Sequence, residues 1–221
     1  MNETTKSKKY WTDLEWRVLS GDGIDIGCST DAVVEGVRRF DLEHGDANRI
    51  TQFVHDQFDF VYSSHCLEHM HDPAVTIQEW WKLVKPGGHL FFIVPDEDLY
   101  EQGVFPSRFN SDHKATFTIS KVKSWSPKSY NVYDLAQSLP ESKIVKLALQ
   151  DRNYDRAKAS FGNQPPPFYL KLIFKGYTKI KKYLRLTNQT IESLLAKYFG
   201  LDQLKNETVL AQIECIIRKN A

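Results

Sequence analysis

Residues 58–94 constrain the fold more than any other stretch, because they read as strand, helix and strand in direct succession. Phe58-Asp-Phe-Val-Tyr-Ser63 is rich in β-branched and aromatic residues. From Pro73 to Val84 the apolar residues Val75, Ile77, Trp80, Trp81 and Val84 recur at helical spacing. Asp72 supplies an N-cap and Pro73 a first-turn proline, and Lys85-Pro86-Gly87-Gly88 forbids continuation. His89-Leu-Phe-Phe-Ile-Val94 then shows no polar alternation, as in a strand buried on both faces of a parallel sheet. Two strands joined through a helix predict a parallel pair with a right-handed crossover, hence an α/β fold.

The flanks extend this pattern. Gly23 to Cys28 reads as a short strand ending in a turn, and Val37 to Asp41 as a second apolar segment closed by an acid. Only eight residues, Ser29 to Gly36, separate them, too few for a full crossover helix. Lys143 to Leu149 alternates loosely, and Gln212 to Ile217 reads as a closing strand. Between these, Asn163-Gln-Pro-Pro-Pro167 is a rigid break. Beyond it, Phe168 to Arg185 places Ile173, Tyr177, Ile180 and Leu184 on one helical face, with Lys171, Lys175, Lys179 and Lys182 opposite. A second helix is predicted from Thr190 to Tyr198. The whole, 1–221, reads as one domain carrying a basic helical insertion over residues 160–208.

Charge is divided unevenly. Residues 1–110 hold 10 Lys and Arg against 19 Asp and Glu, whereas residues 111–221 hold 19 against 9. An acidic first half suits a cationic ligand and a basic second half an anionic partner, although solvated charged faces account for either. No apolar run is long enough to span a bilayer, and MNETTKSKKYW lacks the apolar stretch of a secretory signal. Cys28, Cys66 and Cys215 are odd in number and unpaired in spacing, which points to reduced thiols in a cytoplasmic protein. No transmembrane segment and no nucleic-acid partner are expected. Peripheral contact with an anionic membrane, through the lysine stripe, and a homodimer both stay open.

The chemistry-bearing residues cluster at predicted strand ends. Asp25 stands two residues before Gly27, which places a ligand at the carboxyl edge of the sheet, with glycine admitting backbone to the ligand. Asp41 closes the next strand, where an acid can accept hydrogen bonds from ribose hydroxyls. Gly45-Asp46-Ala47 follows, an acid able to accept from an adenine amino group beside a small residue that leaves room for the ring.

Taken together, DIGC, FDL, GDA, FDFVYSSHCLEHMHDP and WWKLVKPGGHLFFIVP resemble the motif series of type 11 class I methyltransferases over residues 20–120. The nearest likeness is to short versions found in surface-polysaccharide biosynthesis, which share the reduced first connection. They also share the segment that here runs from Pro95 to Gly103 and from Pro106 to Lys114. The resemblance implies a Rossmann-like, mixed and mostly parallel sheet, and S-adenosylmethionine (SAM) as cofactor. It implies that Asp25 stabilises the methionine ammonium, that Gly27, Cys28 and Ser29 face the methionine part, and that Asp41 takes the ribose. Asp46 and Ala47 would meet the adenine, Ser63 and Ser64 would border the sulfonium, and Tyr100, Arg108 and Asn110 would meet the acceptor. The glycine-rich turn DxGxGxG is here Asp25-Ile-Gly27-Cys-Ser29-Thr-Asp31, with one glycine of three. That loss argues against NAD, whose pyrophosphate needs the glycines and a helix N-terminus.

The implied acceptor is a hydroxyl of a sugar, nucleotide-sugar or phosphate-modified glycan precursor. Methylation of a small-molecule nitrogen, or a SAM-binding domain that serves an active partner without catalysis, are the alternatives. A hydroxyl needs a base, and His113, in a polar loop over the sheet edge, is the favoured candidate, followed by His65. His113 could instead only order that loop. His65-Cys-Leu-Glu68-His69 also matches the HxxEH pattern of one zinc peptidase class, which requires both histidines on one face of a helix. A divalent metal held by His65, Glu68, His69 and His113 is a further option; the expectation adopted is a site without metal. Trp80 and Trp81 are read as packing residues rather than a substrate platform.

Overall fold

The computed structural model describes residues 2–119, 121–160, 176 and 201–221. Two short helices, α1 (Glu3–Lys8) and α2 (Asp13–Val18), precede the first strand. Thr12 and Glu15 cap α2 reciprocally, a capping box legible as Thr-x-x-Glu. The main sheet contains β1 (Gly23–Ile26), β2 (Arg38–Phe40), β3 (Phe58–Ser64) and β4 (Val84–Pro95), the last two joined by α3 (Pro73–Lys82). A small two-stranded sheet of β5 (Thr116–Thr118) and β6 (Ser129–Asn131) and the helix α4 (Val132–Gln137) lead to β7 (Ser142–Gln150). β8 (Gln212–Lys219) closes the main sheet, whose order is β2-β1-β3-β4-β8-β7.

β1 to β4 pair in parallel, and β8 runs antiparallel to both neighbours. The fold is therefore the mixed, mostly parallel Rossmann-like sheet that the sequence predicts. The first crossover contains no helix: residues 28–37 pass as turns and bends. α3 ends at Lys82, one turn's fraction earlier than its apolar period predicts, and β4 begins at Val84. Pro86, Gly87 and Gly88 thus lie inside a strand rather than in a loop before it. The strand absorbs them with a register shift opposite Phe58 and Phe60. The predicted helices at 168–185 and 190–198, and the bulk of the 160–208 insertion, lie outside the described residues.

Burial explains the unbroken apolar run in β4. Leu90, Phe92 and Val94 pack on the face carrying Trp80, Trp81, Ile213 and Cys215, whereas Phe91 and Ile93 pack on the opposite face with Val18, Tyr62 and Ile216. Trp80 and Trp81 are both buried, with indole N–H groups donating to the carbonyls of Ala47 and Pro140. The packing reading of this pair therefore holds. Val75 departs from it: it is more than half exposed, so the buried stripe of α3 runs through Thr76, Ile77, Trp80 and Trp81. Among the described residues, no helix is long and apolar enough to cross a membrane.

Candidate active site

A pocket opens where β1, β3 and β4 end, the carboxyl edge at which open α/β sheets bind ligands. Asp25, Gly27, Cys28 and Ser29 line it from the β1 turn. Ser64, His65, Glu68 and His69 line it from the segment after β3, and Tyr100, Asn110 and His113 from the segment after β4. The backbone there is held in unusual conformations. Ser29 and His65 both have positive φ, 47° and 52°, a left-handed geometry that is strained for residues with a Cβ and concentrates at functional sites. Gly27 has φ 77°, and a Cβ added to it would fall 2.6 Å from the sulfur of Cys66. Its conformation and the closeness of Cys66 therefore both require a glycine at this point of the pocket lining.

Asp25 is the electrostatic anchor of the β1 side. It is buried, and Oδ2 accepts from the Val33 amide at 2.7 Å, while Oδ1 has no hydrogen-bond partner. Burial pushes its pKa up to about 7, the Val33 amide, Lys8 and Arg39 pulling back only part of the way. A buried, half-satisfied carboxylate facing a cavity is built for a cationic partner. The Ser64 hydroxyl, also lining the pocket, likewise lacks a hydrogen-bond partner. These orphaned groups fit the ammonium and neighbouring polar atoms of a SAM-like ligand.

The remaining predicted cofactor residues sit around the rim or behind the wall. Asp41 accepts from the Ser29 and Leu42 amides, so it ties the end of β2 to the β1 turn and stands beside the pocket rather than in its lining. Its carboxylate keeps lone pairs for ribose hydroxyls. Asp41→Ala is expected to weaken SAM binding by about 1.5–3 kcal/mol, through two charge-assisted hydrogen bonds lost, as read by titration calorimetry. An unchanged Kd in a folded variant would remove Asp41 from the site. Asp46 is exposed and accepts from the backbone and side-chain amides of Asn48, which hold its carboxyl below the usual range. Ala47 contributes its carbonyl to Trp80. Ser63 is turned into the sheet, its buried hydroxyl donating to the Ile26 carbonyl.

Among the residues expected to meet the acceptor, Tyr100 and His113 stack obliquely at 5.3 Å between ring centroids, and the His113 amide donates to the Asn110 carbonyl. Arg108 is absent from the lining and its guanidinium donates to the Ser160 carbonyl instead. His113 is buried, with Nδ1 2.6 Å from Oε1 of Glu101. Beside a carboxylate, Nδ1 is placed to donate, and Nε2 stands on the other side of the ring, 4.0 Å from Glu68 Oε1. His69 repeats the arrangement, Nδ1 lying 2.9 Å from Asp112 Oδ2. Glu68 is fully buried and neither of its oxygens makes a hydrogen bond. Burial alone would raise its pKa, but His65, His113 and His69 around it hold it below the usual carboxylate value. His65 lies 3.5 Å from Glu68 through Nδ1 and 3.1 Å from Gln212 Oε1 through Nε2. Burial would lower its pKa, yet Glu68 and Gln212 outweigh that and carry it up to about 9. The HxxEH segment is no helix: Leu67–His69 is a single 3-10 turn after the left-handed His65.

Three contributors escaped the sequence reading. Glu3 and Thr4 of α1 reach the pocket from the N-terminus. α1 is held there by Lys6, which donates to the Leu204 carbonyl at 2.7 Å, and by Thr5, which donates to Asp31. Glu101 sits on a π-helical turn, Glu97–Glu101, whose geometry brings Tyr100 and Glu101 against His113.

The profile of a family described as a methyltransferase domain matches residues 11–128. Two curated relatives are ubiquinone biosynthesis O-methyltransferases. That of Aromatoleum aromaticum is 33% identical over 75 residues, and that of Acinetobacter baumannii (strain AYE) 34% identical over 76. Each alignment covers 32% of this chain and 32% of the relative, so the chain spans about a third of the length of the curated relatives it matches. Among solved structures, a SAM-dependent methyltransferase of Archaeoglobus fulgidus aligns with TM-score 0.47 and 12% identity over 100% of this chain and 95% of that one. Phosphoethanolamine N-methyltransferase 2 of Haemonchus contortus, solved with S-adenosyl-L-methionine, aligns with TM-score 0.44 and 12% identity over 95% and 52%.

Proposed function

Because the chain belongs to the methyltransferase-domain family, we propose that its pocket transfers a methyl group from SAM to a hydroxyl of a sugar, nucleotide-sugar or phosphate-bearing glycan precursor. The observation that carries the oxygen acceptor is the Glu101–His113 pair, which presents an imidazole nitrogen to the pocket. An amine acceptor needs no such base once it is neutral. SAM supplies a methyl on a positively charged sulfur, so the acceptor oxygen gains the C–O bond as C–S breaks, the electron pair stays on sulfur, and the hydroxyl proton must leave.

The chain's own residues divide the work. Asp25 holds the ammonium, with Gly27, Cys28, Ser29 and Ser64 shaping the methionine end. Asp41 takes the ribose, and Asp46 with Ala47 borders the adenine. His113 Nε2 is where the acceptor hydroxyl is activated, with Glu101 as the positioning residue that fixes the tautomer. His65, protonated at neutral pH, has no lone pair for the task; it pairs with Glu68 and helps to close the pocket floor. Tyr100 and Asn110 contact the acceptor. Arg108 acts only at a distance, by holding the 160 end of the segment. The excess of basic residues in 111–221 favours an anionic acceptor. We read the whole chain as one domain acting in the cytoplasm.

The test is transfer of a deuterated methyl group from labelled SAM to panels of nucleotide-sugars, sugar phosphates and small amines. Mass spectrometry locates the label. Label on a sugar oxygen is the expected product. Label only on nitrogen would replace this reading with the N-methyltransferase, and no label on any acceptor despite SAM binding would favour the partner domain without catalysis.

A further inference from the structure

The pocket floor gathers Glu68, His69 and His113 so that one ligand atom from each lies within 4.8 Å of the others. Three independent features point that set at a cation. Glu68 is fully buried and lines the pocket without a hydrogen bond to either oxygen; its ion-pair partner His65 stands 3.5 Å from Oε1, which leaves Oε2 with no partner among the described residues. His69 and His113 each engage a carboxylate through Nδ1, Asp112 at 2.9 Å and Glu101 at 2.6 Å, which leaves both Nε2 atoms free as ligands. A histidine whose second nitrogen is fixed by a carboxylate is the usual outer support of a metal ligand, setting the tautomer and raising the basicity of the other nitrogen. Finally, the two rings stand edge to face at 5.0 Å and 82° without stacking, and one nitrogen of each lies within 4.8 Å of the other and of a Glu68 oxygen.

We propose that Glu68, His69 and His113 form a binding site for a divalent transition-metal cation of the Mn²⁺ or Zn²⁺ kind, with Glu101 and Asp112 as its supporting carboxylates. Two imidazoles and one carboxylate leave coordination positions open toward the pocket, the composition of a site that binds substrate oxygen. This rests on the hydroxyl-methylation reading and changes how the hydroxyl is activated. The acceptor oxygen binds the cation, which lowers the pKa of its proton, and the proton leaves to water at the pocket mouth. His113 Nε2 then holds the cation rather than the proton. This proposal departs from the expectation of a site without metal.

The experiment is calorimetric titration of MnCl₂, and separately ZnCl₂, into chelator-treated full-length protein, with SAM titrated into the same preparations. One saturable cation per chain is expected. Glu68→Gln, His69→Gln and His113→Gln should each abolish it or weaken it at least about 100-fold, and Glu101→Gln or Asp112→Asn should weaken it roughly 10- to 100-fold. His69 is partly exposed, so His69→Gln remains informative if a buried replacement fails to fold, and retained SAM affinity certifies each variant. Wild type that binds SAM but takes up neither cation overturns the site, as does uptake that survives all three ligand replacements. The two readings fail separately. Cation uptake without transfer to any hydroxyl leaves the site standing and removes the O-methylation reading. Transfer to a hydroxyl that no chelator slows, in protein that binds no cation, does the reverse.

Discussion

His113→Ala is expected to lower kcat about 10²- to 10⁴-fold at neutral pH while the Kd for SAM changes by no more than about twofold. The size follows from position. His113 is buried in the pocket lining, and its Nδ1 is committed to Glu101, so Nε2 is the nitrogen left for the proposed acceptor hydroxyl. Whether that nitrogen takes the proton itself or holds a cation that does the activating, alanine removes the function. Asp25 and the β1 turn, where we propose the methionine end of SAM binds, form no hydrogen bond with it. Steady-state kinetics and calorimetry on one preparation check both halves. A loss below about tenfold would reduce His113 to an ordering residue of the loop. Glu101→Gln separates positioning from packing: it keeps the shape, removes the charge that fixes the tautomer, and should lower kcat with little change in KM for the acceptor.

Asp25→Asn is expected to weaken SAM binding by about 1.5–3 kcal/mol, roughly 10- to 150-fold, because a charge-assisted contact to the ammonium becomes a neutral one. The pH dependence carries the sign. Burial holds the Asp25 pKa at about 7 in the unliganded protein, so below that pH the carboxyl is largely protonated. An ammonium ligand binds the ionised form, and wild-type affinity should therefore fall up to about tenfold per unit as pH drops below about 7. The asparagine variant should lose that slope. Stability moves oppositely. Since the folded-state pKa lies above the ordinary aspartate value, the folded state retains the proton more strongly, and Asp25 costs the unliganded protein stability as pH rises from about 4 to about 7. Thermal unfolding of wild type and Asp25→Asn across that window should diverge, with the variant gaining on wild type toward neutral pH.

What was legible in the sequence follows from how local each signal is. β4 announced itself because a strand covered on both faces needs apolar residues at consecutive positions, and Leu90 to Val94 supply them. The short first crossover was countable: eight residues cannot return along a strand as a helix, and none is there. Asp25 was found from its spacing to Gly27 at a strand end. Its orphaned Oδ1 depends on what the fold brings near it, and no spacing reports that. The second reason for a glycine at 27 was hidden likewise, since Cys66 lies 39 residues away in sequence and meets it only after β1 and β3 pair. Val75 satisfied the helical period yet faces solvent, because a ten-residue helix packed against a twisted sheet buries a narrower stripe than its apolar residues mark out.

The pocket floor shows the same limit. His65, Glu68 and His69 were visible as a cluster because they are close in sequence. Their partners were not: Gln212 is 147 residues from His65, and Asp112 is 43 from His69. Glu101 and His113 are only 12 apart, but a π-helical turn and an intervening loop decide that they meet, and neither has a strong sequence signature. The polar residues of α1 gave no sign of a part in the pocket. Its contribution comes from tertiary anchors, Lys6 to Leu204 and Thr5 to Asp31, that bring Glu3 and Thr4 into the pocket lining.

The most direct measurement of the central claim is a calorimetric titration of SAM into the wild-type chain at pH 6, 7 and 8, with NAD titrated alongside. One SAM per chain, tightening as Asp25 ionises, with no saturable binding of NAD, is the predicted result. Failure of SAM to bind saturably at any of the three pH values would contradict the account, and so would NAD competing for the same site.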